Sequence, residues 1–107
     1  MTSFRFNPRP TTWVTVRLTV PTADGLQTQT FRAQFLILPA KERQALASDP
    51  RAALAKIWLG WEDIVDAEGT PVPFSETARD QLMDYDYVTI GVAAAYERAT
   101  AGIETKN

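Results

Sequence analysis

Two runs of alternating residues, on either side of an Asp-Gly pair, restrict the folds open to this chain more than any other feature. Residues 12–20 (TWVTVRLTV) place Val14, Val16, Leu18 and Val20 on one face, with Trp13, Thr15, Arg17 and Thr19 on the other. A period of two marks a strand, and the β-branched residues that fill it suit a pleated, half-buried surface. Residues 27–37 repeat the pattern, with Phe31, Ala33, Phe35 and Ile37 opposed to Thr30, Arg32 and Gln34. Pro21 is expected to end the first strand, and Asp24-Gly25 supplies residues that tolerate positive φ in a reversing loop. The pair reads as a β-hairpin. An isolated hairpin is marginal in water, so its apolar face requires a covering layer.

The rest of the chain supplies helices for that layer. Pro39 stands where a helix can begin, and KERQALAS continues it with strong helix formers. Asp49-Pro50 is a clearer start, an N-cap followed by a proline at the first helical position. Leu54, Ile57, Trp58 and Trp61 then follow the spacing of a buried helical face, with Gly60 as the expected left-handed stop. Trp58 is accordingly assigned to the core. Ser75 caps a helix over 76–84, with Ala78, Leu82 and Met83 inward and Glu76 in the first turn. Asp84 or Asp86 caps a final helix over 87–101, whose stripe is Val88, Val92, Ala95, Tyr96 and Ala99. Gly91 and Ala93 to Ala95 keep that helix thin enough for another element to approach its backbone, and Gly102 ends it.

The expected architecture is α+β: an N-terminal β-hairpin packed against three or four C-terminal α-helices in a single domain. At 107 residues one domain is the natural size, and three Trp, five Phe and three Tyr fill its core without disulfides or a metal. Residues 12–102 form that domain. Residues 1–11, with Pro8 and Pro10 around Arg9, form an irregular arm in which Phe4 and Phe6 point the same way when extended. Residues 103–107 form a short tail.

Several chemistries are excluded by what the chain lacks. Without Cys there is no disulfide, thiolate ligand or Cys nucleophile, and without His the usual general base and commonest metal ligand are gone. The first residues lack the apolar core of a signal peptide, and no run approaches the roughly 18 apolar residues that span a bilayer, so a soluble intracellular protein is expected. No G-x-S-x-G elbow or glycine-rich phosphate loop occurs.

The acidic stretch after Trp61 invites a calcium reading. Setting Gly69 at position 6 of an EF-hand loop puts Asp66 and Glu68 correctly at positions 3 and 5. The same alignment puts Ile64 at position 1 and Ser75 at position 12, so both essential ends fail. Asp66-Ala67-Glu68-Gly69 is better read as a turn between two short extended pieces. Glu62, Asp63, Asp66, Asp80 and Asp84 are numerous enough for paired-carboxylate hydrolysis, but no motif sets two of them opposite each other. No catalytic residue, cofactor or metal ligand is assigned.

Charge is divided unevenly along the chain. Residues 1–56 carry a net +5 and residues 57–107 a net −7. The split is equally compatible with a mixed surface and with complementary faces suited to head-to-tail self-association. Arg5, Arg9, Arg17 and Arg32 beside Trp13 make a minimal single-strand nucleic-acid footprint, set against a sequence pI near 5.0.

The order of motifs over about 60–107 resembles the C-terminal half of tail assembly chaperones from long, non-contractile-tailed phages and prophages. The features are the Trp-acidic-hydrophobic stretch from Trp61 to Val65, the turn Asp66 to Gly69, and the Pro-x-Pro-Phe-Ser re-entry from Pro71 to Ser75. A Leu82-bearing helix follows, then a last helix from Val88 and an ending at Lys106-Asn107. The match extends more loosely over 12–59. The resemblance implies a non-enzymatic assembly factor that binds the tape measure protein and helps recruit the major tail protein. It also implies a place in the cytoplasm of the bacterial host, absence from the finished virion, and a longer product made by ribosomal frameshifting. A head–tail connector or tail terminator is the alternative, and a small nucleic-acid-binding regulator the second alternative. For partner binding, Trp61, Phe74 and Tyr87 are the candidate apolar contacts, with Glu62, Asp63 and Asp66 as their polar rim. Equally, Trp61 and Phe74 can close the core over the turn.

Overall fold

The hairpin forms the first half of a three-stranded antiparallel sheet. In the computed structural model, which describes residues 2–101, β1 (Thr11–Thr22) and β2 (Gly25–Leu36) lead into α1 (Ala40–Leu46) and α2 (Pro50–Ile57). Next come β3 (Trp58–Glu62), α3 (Glu76–Leu82) and α4 (Asp86–Ala101), and the sheet order is β1-β2-β3. The α+β class and the four helices agree with expectation. The third strand is new.

β1 does not stop at Pro21 but pairs as far as Thr22, opposite Gly25. Ile37 donates its N–H to the Pro10 carbonyl at 2.8 Å, so even-numbered positions of this strand are those bonded to β2. Pro21 is odd-numbered and turns its nitrogen outward. With β1 at the sheet edge, no ladder bond is lost there. The loop itself is Ala23–Asp24, and Gly25 takes the positive φ of 108° that closes it. Thr22 Oγ1 donates to the Gly25 carbonyl at 2.6 Å and accepts from the Asp24 N–H at 3.2 Å.

The main correction concerns Trp58 to Trp61. α2 begins as expected, Asp49 accepting from the Ala52 N–H at 3.2 Å, but it ends at Ile57. Trp58 is extended (φ −88°, ψ 101°) and starts β3, in which Trp61 lies opposite Ala33 and Trp58 opposite Phe35. A register shift between Gln34 and Phe35 leaves Leu59 as an extra residue. In a regular strand, positions 58 and 61 would face opposite sides. The bulge turns both indoles to the core face, and so reproduces the three-residue spacing of a helix. Gly60 is not a helix stop: it lies in the strand, where an added Cβ would stand 3.3 Å from Gln34 Oε1.

The core gathers Val16, Phe31, Ala33, Phe35, Trp58 and Trp61 from the sheet with Leu54, Ile57, Val88, Val92 and Ala95 from the helices. Gly91 explains how α4 comes so near. An added Cβ there would meet Leu18 Cδ2 at 2.5 Å and the Arg17 carbonyl oxygen at 2.8 Å. The element expected to approach this thin helix is therefore β1. Tyr96, on the next turns of α4, accepts from the Leu38 N–H and donates to the Leu36 carbonyl, both at 3.0 Å.

α3 is capped by Ser75, whose Oγ accepts from the Ala78 N–H at 3.0 Å. Its far end is held by Arg51 of α2, which donates to the Met83 carbonyl at 3.0 Å and the Asp80 carbonyl at 2.9 Å. A guanidinium at a helix C-terminus satisfies orphan carbonyls and complements the dipole. Gly102 and the 103–107 tail lie outside the described residues. Among the described residues no helix is long and apolar enough to cross a membrane.

Candidate functional site

Residues 58–75 join the sheet to α3, and this joint is where the candidate partner-binding residues gather. Trp61 is 8% exposed: its Nε1–H donates to the Val72 carbonyl at 2.7 Å, and its ring meets Phe74 edge-on at 4.9 Å and Trp58 at 5.4 Å. Phe74 is half-buried against the same core. Trp61 thus closes the core over the turn and has little surface left to offer. Of the two readings of this indole, the geometry supports the core one.

The acidic residues are arranged otherwise. Glu62 ends β3 and faces Arg32 at 3.4 Å, an exposed pair worth little by itself. The Arg32 guanidinium also lies 5.5 Å from the centre of the Trp13 ring, so these two residues of the open sheet face are mutually engaged. Asp66 builds the expected turn. Its Oδ1 accepts from the N–H groups of Glu68 and Thr70, both at 2.9 Å, while Val65 and Pro71 bridge and Gly69 takes a φ of 84°. Among the described residues, no three His, Cys, Asp or Glu side chains converge as a metal site would require.

Asp63 has the most consequential geometry. It is the one non-glycine residue among those described with positive φ, at 71°. Asp tolerates this left-handed region better than most residues, yet it is a strained choice. The effect is to turn the chain off the edge of β2 directly after Glu62. β3 therefore pairs with β2 only over Arg32 to Phe35, and β2 from Gly25 to Thr30 has no strand on that side.

Where the chain turns away, a cleft of about 310 Å³ opens. Leu18, Val20 and Phe31 line one wall, and Ile64, Val65, Leu82 and Val88 the other, with Asp63 and Tyr87 also facing it. Tyr87 is half-buried and contacts the Tyr85 ring at 5.9 Å. The structure thus brings Asp63 and Tyr87 together at the cleft, places Trp61 and Phe74 behind it in the core, and leaves Glu62 and Asp66 on its flanks. The sequence reading missed Ile64, Val65, Leu82 and Val88 as cleft residues. Leu82 and Val88 read only as inward positions of their helices, and Ile64 and Val65 come to the cleft because the left-handed Asp63 turns the chain off β2. No family model, curated protein or solved structure matches this chain.

Proposed function

We propose that the chain is a non-enzymatic tail assembly chaperone of a long, non-contractile-tailed phage or prophage, binding the tape measure protein and assisting assembly of the tail tube. The observation that carries this reading is the joint itself. Its order of motifs is the part of the resemblance with most content, and it combines a rigid aromatic base with exposed carboxylates. Trp61 and Phe74 hold the loop, so Glu62, Asp63 and Asp66 are presented from a fixed frame beside an apolar cleft. Apolar anchors rimmed by charge suit a protein that keeps apolar helical segments soluble, since the rim steers and orients while the anchors hold. On this reading the chain works in the cytoplasm of the bacterial host, takes no cofactor and leaves before the virion is complete.

The test is co-purification of tape measure fragments with the wild-type protein and with a Glu62→Gln/Asp63→Asn variant. Asn keeps the tolerance for positive φ while removing the charge. Binding weakened by the variant, with unchanged stability, supports the reading, and undiminished binding removes the acidic rim from it. No capture of any tape measure fragment by the wild-type protein rejects the chaperone role. The competing class, a head–tail connector or tail terminator, remains in the particle, so mass spectrometry of purified virions separates it. A nucleic-acid-binding regulator would instead give gel shifts that fade steeply with salt.

A further inference from the structure

We infer that this protein self-associates by strand addition, the N-terminal arm of one copy lying along the free edge of β2 in another, with Phe4 and Phe6 in the cleft beside it. This inference does not depend on the proposed chaperone role. Four observations carry it.

The edge is available. Odd-numbered residues of β2 bond to β1, as the Ile37–Pro10 hydrogen bond shows, so Leu26, Thr28 and Thr30 turn their N–H and C=O groups the other way. β3 reaches only as far as Arg32, so these groups meet no strand. Proteins usually blunt such an edge with charge or proline, and residues 25–30 (GLQTQT) contain neither. Strand addition to an open edge takes its affinity from main-chain bonds and its specificity from pockets for alternate side chains.

Those pockets are present. The cleft lies on the apolar side of the β2 edge, lined by Leu18, Val20, Phe31 and Ile64. An added strand would direct every second side chain into it.

The arm has the matching pattern. Phe4 is 86% exposed and Phe6 is 75% exposed, two large rings spaced to share one face of an extended chain. Burying each would remove roughly 150–250 Å² from water. The charges also match: residues 2–10 contain Arg5 and Arg9 and no acid, while the cleft presents Asp63, which pairs with no cation among the described residues.

Finally, the arm is too short to fill its own cleft. It leaves the sheet at Pro10, level with Ile37, and the cleft lies at Thr30, seven residues down β2. That is roughly 23 Å at a strand's rise per residue. Four residues from Pro10 back to Phe6 span at most about 14 Å, and six back to Phe4 about 21 Å, so neither ring reaches that far. A second copy is the occupant that fits.

Sedimentation velocity on the full chain across a concentration series tests this. The wild-type protein should associate reversibly, and Phe4→Ser/Phe6→Ser should weaken that association at least tenfold while leaving stability unchanged, since both rings are exposed. Thr28→Pro should do the same by removing an outward N–H. With oxidised glutathione as the oxidant, a mixture of a Phe6→Cys variant with a Val65→Cys variant should form the mixed disulfide in preference to either homodimer, because only that pair sets an arm thiol beside a cleft thiol; the natural chain has no other cysteine. A wild-type protein that stays monomeric to millimolar concentration would overturn the proposal. So would association that survives both the double serine and the proline variants, or a Cys mixture that yields no excess of the mixed species.

Discussion

Gly91 of α4 rests against the backbone of Arg17 in β1, so closely that an added Cβ would stand 2.8 Å from the Arg17 carbonyl oxygen. Two effects compete in Gly91→Ala. Alanine favours the helix by about 1 kcal/mol. Overpacking a tight contact costs about 1–3 kcal/mol. The obstacle includes backbone of a paired strand, which cannot rotate away, so the clash prevails. A net loss of up to about 2 kcal/mol is expected, read as a lower urea midpoint with unchanged slope. Gly60→Ala is the control. Its Cβ would meet the movable end of the Gln34 side chain at 3.3 Å and Gln34 Cβ at an ordinary 3.8 Å, so it should cost less than Gly91→Ala.

Tyr96 ties α4 to the segment that leaves β2. Its hydroxyl serves the Leu38 N–H and the Leu36 carbonyl, and both leucines are buried. Tyr96→Phe keeps the edge-on contact with Phe35, 5.3 Å between ring centres, and removes only the oxygen. Two buried backbone groups are then left without partners, at a cost of about 1–3 kcal/mol for such a group. The expected outcome is a loss of at least about 2 kcal/mol in urea unfolding, with faster hydrogen exchange at the Leu38 amide. A neutral Tyr96→Phe would mean that water already serves those groups.

The hairpin, the caps at Asp49 and Ser75 and the stripe of α4 were legible because each is a local pattern with one dominant physical cause. The third strand was not. Trp58 and Trp61 sit three residues apart on one face, which a helix produces naturally and a strand produces only with a bulge. The bulge depends on pairing with Gln34 and Phe35, far away in the chain, and no local signal announces it. The same holds for the cleft. Asp63 looked like one acid among several, and its left-handed backbone becomes meaningful only once the edge of β2 lies beside it. Tyr96 was correctly assigned to the stripe, yet its two hydrogen bonds could not be foreseen.

Among the described residues Arg79 is the one buried charged side chain, 8% exposed on α3. Its guanidinium reaches the Trp58 carbonyl at 3.4 Å and Asp80 Oδ1 at 3.3 Å, long contacts of modest strength. The aliphatic stem is then the larger contributor through packing. Arg79→Met keeps that volume and leaves no buried charge behind, because Asp80 is exposed. It should change stability by no more than about 1 kcal/mol. Arg79→Ala opens a void and should cost about 2 kcal/mol or more. Equal losses in the two variants would show instead that the hydrogen bonds dominate.

Trp61 decides how the joint should be probed for partner binding. Truncation to alanine removes the indole from between Trp58 and Phe74 and leaves the Val72 carbonyl without its 2.7 Å donor. Large aromatic deletions of this kind cost about 3–5 kcal/mol. Small domains have only about 5–15 kcal/mol in total. A Trp61→Ala protein that fails to bind a partner would therefore report damage to the fold. Trp61→Phe separates the two contributions, keeping most of the ring packing while losing the hydrogen bond. Urea unfolding should rank wild type above Trp61→Phe and Trp61→Ala last, with intrinsic fluorescence following the same order of midpoints. Should Trp61→Ala unfold at the wild-type midpoint, the indole does not hold the joint together, and its role returns to the surface.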